Sequence, residues 1–393
     1  MTTSRPLCPV CGTKTKKNGT TTKGTTRYRC TNTNCGASTT RTRPDITTCA
    51  TFHSFHRYAT GPHTLTTLAT SLGITRQTLN HRFATMWLID VPTTTDSHRV
   101  YDQIFLDATY LAGGCLLIAS TRTHVLAWHW AHRETTTAYT DLLQHLAPPL
   151  CAVLDGGQGA YSAIKKCWPT TTIQRCLVHA QRVVRRYTTT RPHTDAGRAL
   201  YTLALKLTRI TTTEQATTWV LHLHQFGQVH KKFLNEKTPL PPQRRTVTRQ
   251  WEYTHLRVRT AYRSLVHLQK NGWLFAYLQP PNHALEPRWA STTNSLEGGI
   301  NSPLKLHARI HRGLTPERQR RIVDWWLHSK KQLPDDPLEI ARQCNFGQDQ
   351  LAKVSVFTAQ NENRADQETG RPALFDNAIP TEYTHSIGIR KAP

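Results

Sequence analysis

The chain contains no uninterrupted apolar run of about 18 residues, so no segment is expected to cross a membrane as a helix. Its opening residues, Met1-Thr2-Thr3-Ser4-Arg5, lack the apolar core of a secretory signal, and the expected location is cytoplasmic. Acidic side chains are scarce. Only 25 Asp and Glu stand against 50 Lys and Arg, a formal charge of +25. The surplus is spread along most of the chain, which makes a polyanion the expected partner, because each neutralised phosphate releases condensed counterions. Nucleic acid comes first, ahead of a membrane surface. Apolar residues are also few, at 37%, but threonine takes up much of the deficit and its β-branch suits strands. No segment repeats. Ten cysteines at irregular spacing argue against a disulfide framework and fit metal binding and buried thiols in a reducing compartment.

The order of the chain divides it further. Residues 1–42 are Cys/Gly/Thr-rich and basic, and residues 48–92 read as helical. Residues 98–187 alternate strands and helices, 188–287 form a long helical stretch, 288–332 carry a dense motif, and 333–393 make a polar tail. In the first segment Cys8-Pro9-Val10-Cys11 and Cys30-Thr31-Asn32-Thr33-Asn34-Cys35 form two pairs around a basic insert. Such pairs suit a tetrahedral thiolate site for structural zinc, with Gly12 and Gly36 permitting the knuckle turns. A piece this small lacks a core of its own, so metal binding would supply its folding energy. Lys14, Lys16, Lys17, Lys23, Arg27 and Arg29 make this zinc ribbon a phosphate-contacting module.

Residues 65–79 suggest a helix-turn-helix. Leu65, Leu68, Ala69 and Leu72 share one helical face, Gly73 breaks the helix and Ile74 returns to the core. Thr75 can cap a second helix presenting Arg76, Gln77, Asn80, His81 and Arg82, side chains able to reach base edges. Any helical hairpin with a central glycine resembles this motif.

The most informative stretch begins at Ile104-Phe105-Leu106-Asp107, an apolar strand interrupted by one carboxylate. Residues 116–119 and 125–130 read as further strands, 134–146 as a helix, and Leu150-Cys151-Ala152-Val153-Leu154-Asp155 as a buried strand ending in a second carboxylate. A helix over 158–167 and a strand over 172–177 complete the order β-β-β-α-β-α-β. That order is the one expected of a ribonuclease-H-like α/β fold, in which the first strand is central and the fourth lies beside it. Asp107 and Asp155 would then face one point, where two bare carboxylates repel unless cations lie between them. Two Mg2+ ions, with Mn2+ tolerated, would resolve that repulsion and serve phosphodiester chemistry. An Asp at a strand end also often caps the next helix, and for Asp155 that reading stays open.

Downstream, Thr292-Thr293-Asn294-Ser295-Leu296-Glu297-Gly298-Gly299-Ile300-Asn301-Ser302-Pro303-Leu304-Lys305 ends in Arg309-Ile310-His311-Arg312. Together with Cys176-Leu177-Val178-His179, Arg182 and Arg185, this pattern resembles insertion-sequence transposases of the Mutator-like DDE superfamily. The resemblance spans roughly residues 98–330. It implies a catalytic triad of Asp107, Asp155 and Glu297 holding the Mg2+ ions, with His179 beside the scissile phosphate. Cys176, Asn294 and Asn301 would support the site, and Arg182, Arg185, Lys305, Arg309 and Arg312 would contact DNA. It further implies an all-helical insertion domain at 188–287, where Leu200, Leu203, Leu207, Trp219, Leu223 and Phe226 recur at helical spacing. In that domain Trp251, Tyr253, Arg257, Arg259, Tyr262 and Arg263 either grip DNA or pack its own core. The expected activity is binding of terminal inverted repeats followed by metal-dependent cleavage and strand transfer, by a homodimer on double-stranded DNA in the nucleoid. A transposase-derived DNA-binding regulator and a structure-selective nuclease of ribonuclease-H type are the alternatives.

Overall fold

Threonine-rich basic sequence near the N-terminus does form strands. In the computed structural model, which describes residues 5–8, 10–41, 44–93 and 97–353, β1 (Thr15–Thr20), β2 (Thr26–Cys30) and β3 (Ser38–Thr40) make a three-stranded antiparallel sheet. The chain separates into two compact units, and this sheet belongs to the first, with the described residues of 5–58, 65–90 and 336–353. Helix α1 (Pro44–Thr60) supplies Phe52, Phe55 and Tyr58 to its core. Phe55 meets the Phe83 and Trp87 rings edge-on at 5.3 and 5.0 Å.

Helices α2 (Leu65–Ser71) and α3 (Arg76–Arg82) stand where a helical hairpin was expected, and Thr75 caps α3 by accepting from the Thr78 amide. The buried face is narrower than expected. Leu68 and Ala69 are buried, but Leu72 lies beyond the last turn of α2 and is 42% exposed. The polar tail expected from 333 is corrected over its first part. Residues 337–343 form a helix with Ile340 and Ala341 buried, and the following turn sets Phe346 against Phe52 at 6.1 Å. Residues 354–393 lie outside the described residues.

The second unit is built on a mixed five-stranded sheet in the order β6-β5-β4-β7-β8. Its strands are β4 (Gln103–Leu111), β5 (Gly114–Ser120), β6 (Val125–Ala131), β7 (Cys151–Leu154) and β8 (Thr172–Arg175). The first three run antiparallel, while β7 and β8 lie parallel to β4 and to each other. Ile104, Phe105 and Leu106 are all buried, as befits a central strand covered on both faces. Helices α4 (Thr136–Leu143) and α5 (Gln158–Cys167) connect β6 to β7 and β7 to β8. Tyr139, Leu142, Leu143 and Ile164 from these helices pack with Leu106, Leu117 and Leu154 of the sheet. Each fully buried side chain of this size contributes about 1.5–3 kcal/mol of transfer free energy. The helix expected over 134–146 is shorter, starting at Thr136 because Thr135, in extended backbone, caps it by accepting from the Ala138 amide.

Helices α6 (Leu177–Thr188), α7 (Asp195–Lys206), α8 (Thr213–Val229) and α9 (Lys231–Asn235) follow. Leu200, Leu203, Leu207, Trp219, Leu223 and Phe226 are all buried there. The expectation of an all-helical insertion is corrected by a hairpin of β9 (Lys237–Pro239) and β10 (Trp251–Tyr253), ahead of α10 (Leu256–Lys270). Pro239, Pro241 and Pro242 fix φ and remove amide donors, so this stretch cannot continue a helix.

The chain then returns to the sheet. Gln103 of β4 donates to the Ala290 carbonyl at 3.1 Å and accepts from the Ala290 amide at 2.6 Å. The Glu286 amide donates to Asp102, and the Leu177 amide to the Ser291 carbonyl at 3.0 Å. After these stitches come α11 (Asn294–Leu296), a π-helical turn over Glu297–Asn301, α12 (Ser302–Ile310) and α13 (Pro316–His328). α13 is fastened to β6 through Asp324, whose Oδ1 accepts from the indoles of Trp128 and Trp130, both at 2.8 Å. No helix among the described residues is long and apolar enough to cross a membrane.

Candidate functional site

Two constellations stand out, one in each unit. In the first, the four cysteines 8, 11, 30 and 35 bring their sulfur atoms within 4.8 Å of one another. Gly12 (φ +68°) and Gly36 (φ +56°) turn the chain after each pair in the left-handed region, as the sequence required. Cys8–Cys35 and Cys11–Cys30 sulfur separations are 3.8 and 3.4 Å. A tetrahedral site with metal–sulfur bonds of about 2.3 Å has sulfur–sulfur edges of roughly 3.8 Å, so the four residues fit a metal such as zinc. A hydrogen bond with the Thr13 hydroxyl lowers Cys11 to about 6, while burial pushes Cys30 up to about 12. On α3, Arg76, Gln77, Asn80, His81 and Arg82 are all solvent-exposed.

In the second unit, carboxylates gather at one end of the sheet. Asp107 stands within β4, and Asp155 follows β7, whose last residue Leu154 pairs with Leu106. The two acids therefore sit one step beyond a paired position on neighbouring parallel strands. Gly156 comes next with φ +99°, and a Cβ there would collide with the Arg175 guanidinium, so only glycine serves. Asp155 Oδ1 accepts from the Gly157 amide at 3.0 Å, a local turn ahead of α5, whose N-cap is Gly157 and which has no side-chain cap.

Glu297 opens the π turn on the returning segment. The Ser302 amide bonds to the Glu297 carbonyl, five residues back, and single π turns of this kind concentrate at functional sites. Glu297 Oε1 lies 3.4 Å from Arg182 and 3.5 Å from His179 Nε2, both on α6. Asn301, at the far end of the turn, is 5% exposed and donates from Nδ2 to Asp107 Oδ2 at 2.7 Å, while its Oδ1 has no partner. The segments bearing Asp107 and Glu297 are thus tied through one amide.

The electrostatics follow from this crowding. Burial, with Asp155 and Glu297 adding to it, pushes Asp107 up to about 6. A hydrogen bond with Cys176 raises His179 above the ordinary imidazole range. Burial pushes the Cys176 thiol up, but hydrogen bonds with His179 and from Thr293 outweigh it and the net shift is downward. Cys176 caps α6 and accepts from both the Thr293 amide and hydroxyl at 3.3 Å, so it fastens the Glu297 segment as well as His179.

Asp107, Arg182, Glu297, Asn301, Lys305 and Arg309 line a cleft of about 780 Å³. Asn294, Arg185 and Arg312 are exposed and stand outside its lining, and Asp155, His179 and Cys176 are not part of that lining either. The oxygens of Asp107, Asp155 and Glu297 do not all approach as closely as the cysteine sulfurs do. One carboxylate escaped the sequence reading. Glu134, just before α4, is half-buried, and burial and then Asp155 raise it. A Cβ on Gly157 would lie 3.5 Å from Glu134 Oε2 and 3.6 Å from Asp155 Oδ1, which shows how near the two acids are. Its only sequence signal was a lone acid at a strand-to-helix junction.

No family model matches the chain, and no curated protein matches its sequence.

Proposed function

We propose that the chain is a DNA transposase of the Mutator-like DDE type, with a ribonuclease-H-like core that cleaves and joins DNA through Asp107, Asp155 and Glu297. One observation carries this reading. Glu297, far along the chain from Asp107, lines the same cleft as that aspartate, held by the Gln103–Ala290 and Cys176–Thr293 stitches and the Asn301–Asp107 hydrogen bond. Carboxylates brought together at one sheet end repel, and a shared cation would offset that repulsion. The order β6-β5-β4-β7-β8, with the parallel pair β4 and β7 carrying the two aspartates, supports the fold assignment.

Asp107, Asp155 and Glu297 would hold Mg2+, an all-oxygen donor set suited to it. When bound, the ions supply activation of the attacking oxygen and stabilisation of the leaving oxygen. Asn301 orients Asp107, and its free Oδ1 can accept from a water or hydroxyl in the cleft. Lys305 and Arg309 on the cleft wall attract the phosphates on either side of the scissile bond. His179, with its raised pKa, brings positive charge and a proton to the leaving 3′ oxygen as water forms the new bond to phosphorus. The freed 3′-hydroxyl then attacks a target phosphodiester in line, one P–O bond forming as another breaks. The cysteine ribbon and α3 would recognise the terminal inverted repeats, and a homodimer would hold the two ends.

The test is a supercoiled donor plasmid carrying the repeats that flank the coding sequence, incubated with protein and Mg2+. Excised or joined products are expected from the wild type. Asp107→Asn should bind the repeats but reduce cleavage by at least about a thousandfold, the scale of losing a charge-stabilising group. Because protons compete for Asp107 below about 6, Mg2+ affinity should rise as pH passes that value. Wild-type cleavage by Asp107→Asn would overturn the assignment. Cutting without joining would indicate a nuclease, and repeat binding alone a regulator.

A further inference from the structure

The aromatic and basic side chains at the base of the β9–β10 hairpin serve the fold. Arg259 is buried, lies 3.7 Å over the Tyr253 ring, and donates to the Leu234 carbonyl and to Asn235 Oδ1 at 2.7 and 2.6 Å. Arg257 donates to the Arg186 and Tyr187 carbonyls at the end of α6, and Tyr262 packs on Phe226 at 5.3 Å. Arg259 thus ties the hairpin to α9 and α10, while Arg257 and Tyr262 hold α10 to α6 and α8.

Its tip is different. Leu240 is buried and its amide donates to the Gln250 carbonyl at 2.9 Å, while Arg245 Nε donates to the Leu240 carbonyl at 2.6 Å. Thr246 and Arg249 exchange both backbone hydrogen bonds, at 3.0 and 3.2 Å, closing a four-residue turn. Val247 sits at the corner of that turn and is 97% exposed. A lone exposed valine is ordinary. This one is held at the apex of a hydrogen-bonded turn, with Arg244, Arg245 and Arg249 all exposed around it. Between residues 231 and 263 the chain carries nine Lys and Arg against two Glu, so the finger stands in a strongly positive field.

We propose that this finger enters the minor groove of double-stranded DNA, setting Val247 as a wedge against a base step while the tip arginines hold the flanking phosphates. A four-residue turn suits a groove about 6 Å wide, whereas the two-stranded ribbon behind it does not. Apolar wedges in that groove unstack a base step and kink the duplex, and the groove's negative potential attracts arginine. The inference rests on the reading above that DNA is the substrate, and adds a deformation of it that the cleft does not require.

The experiment uses the full-length zinc-loaded protein and a 40-base-pair mixed-sequence duplex with a donor and an acceptor dye at its ends. Binding is read by anisotropy across a salt series and bending by energy transfer. The wild type should bind and shorten the end-to-end distance. Val247→Asp should bind with an unchanged salt slope but leave the duplex straight. Since Val247 is almost fully exposed, this change leaves the fold intact. Arg244→Ala with Arg249→Ala should lower the slope of log affinity against log salt by about 2. A wild type that binds without bending, or a Val247→Asp protein that bends as well as the wild type, overturns the wedge and leaves the transposase reading standing. A wild type that binds no duplex at all overturns both.

Discussion

Asp324 shows how a single residue can fasten a helix to the sheet. Its carboxylate is buried beside Trp128 and Trp130, and burial pushes its pKa up while both indoles and Arg321 oppose that shift. Asp324→Ala would leave two indole N–H groups without an acceptor, at a cost on the order of 3 kcal/mol. A lower urea midpoint with an unchanged slope is the expected reading, and Asp324→Asn should recover part of the loss by keeping one acceptor. At this scale the sequence was uneven as a guide. Asp107 announced itself as a charge inside an apolar run, and Glu297 through its crowded neighbourhood of Asn and Gly. Glu134 and Asp324 gave no comparable sign, since their significance arises from what folds beside them. Trp128, Trp130 and Asp324 are paired across nearly two hundred residues, a separation that local spacing cannot reveal.

Among elements, the strands of the central sheet were legible because they are short apolar runs between turn signals, and the helices because their leucines recur every three or four positions. The β9–β10 hairpin was missed since three-residue strands carry no periodicity, although Pro239, Pro241 and Pro242 excluded a helix there. The π turn was missed for a different reason: its single extra residue is invisible without the backbone. That turn invites a direct test. Deleting Gly299, which is exposed and touches nothing at its Cβ position, should restore α-helical spacing and rotate Asn301 by roughly 100° relative to Glu297. Thermal stability should hold or rise, while Mg2+-dependent cleavage should be lost together with the Asn301–Asp107 hydrogen bond. Retained cleavage would mean that the pairing of these two residues is dispensable.

On the scale of the whole molecule, the two units draw on different sources of stability. The first contains a small three-stranded sheet anchored by four cysteines, and the second buries a large apolar core around five strands. Removing the metal with a strong chelator should therefore disorder residues 5–41 while leaving the main unfolding transition of the second unit in place. Calorimetry and amide exchange before and after chelation provide the check, and a single transition lost as a whole would contradict it. On the proposed reading, specific DNA binding should weaken far more than cleavage of a nonspecific duplex.

The late return of residues 286–301 to the first strand of the sheet has a consequence during synthesis. A polypeptide released before Ser291 would own the aspartates and the basic surface yet have no acid to complete the cleft. If the chain acts on DNA as proposed, such a fragment would crowd the sites that the finished protein occupies, and translation to the end of α12 sets when the cleft lining is first complete.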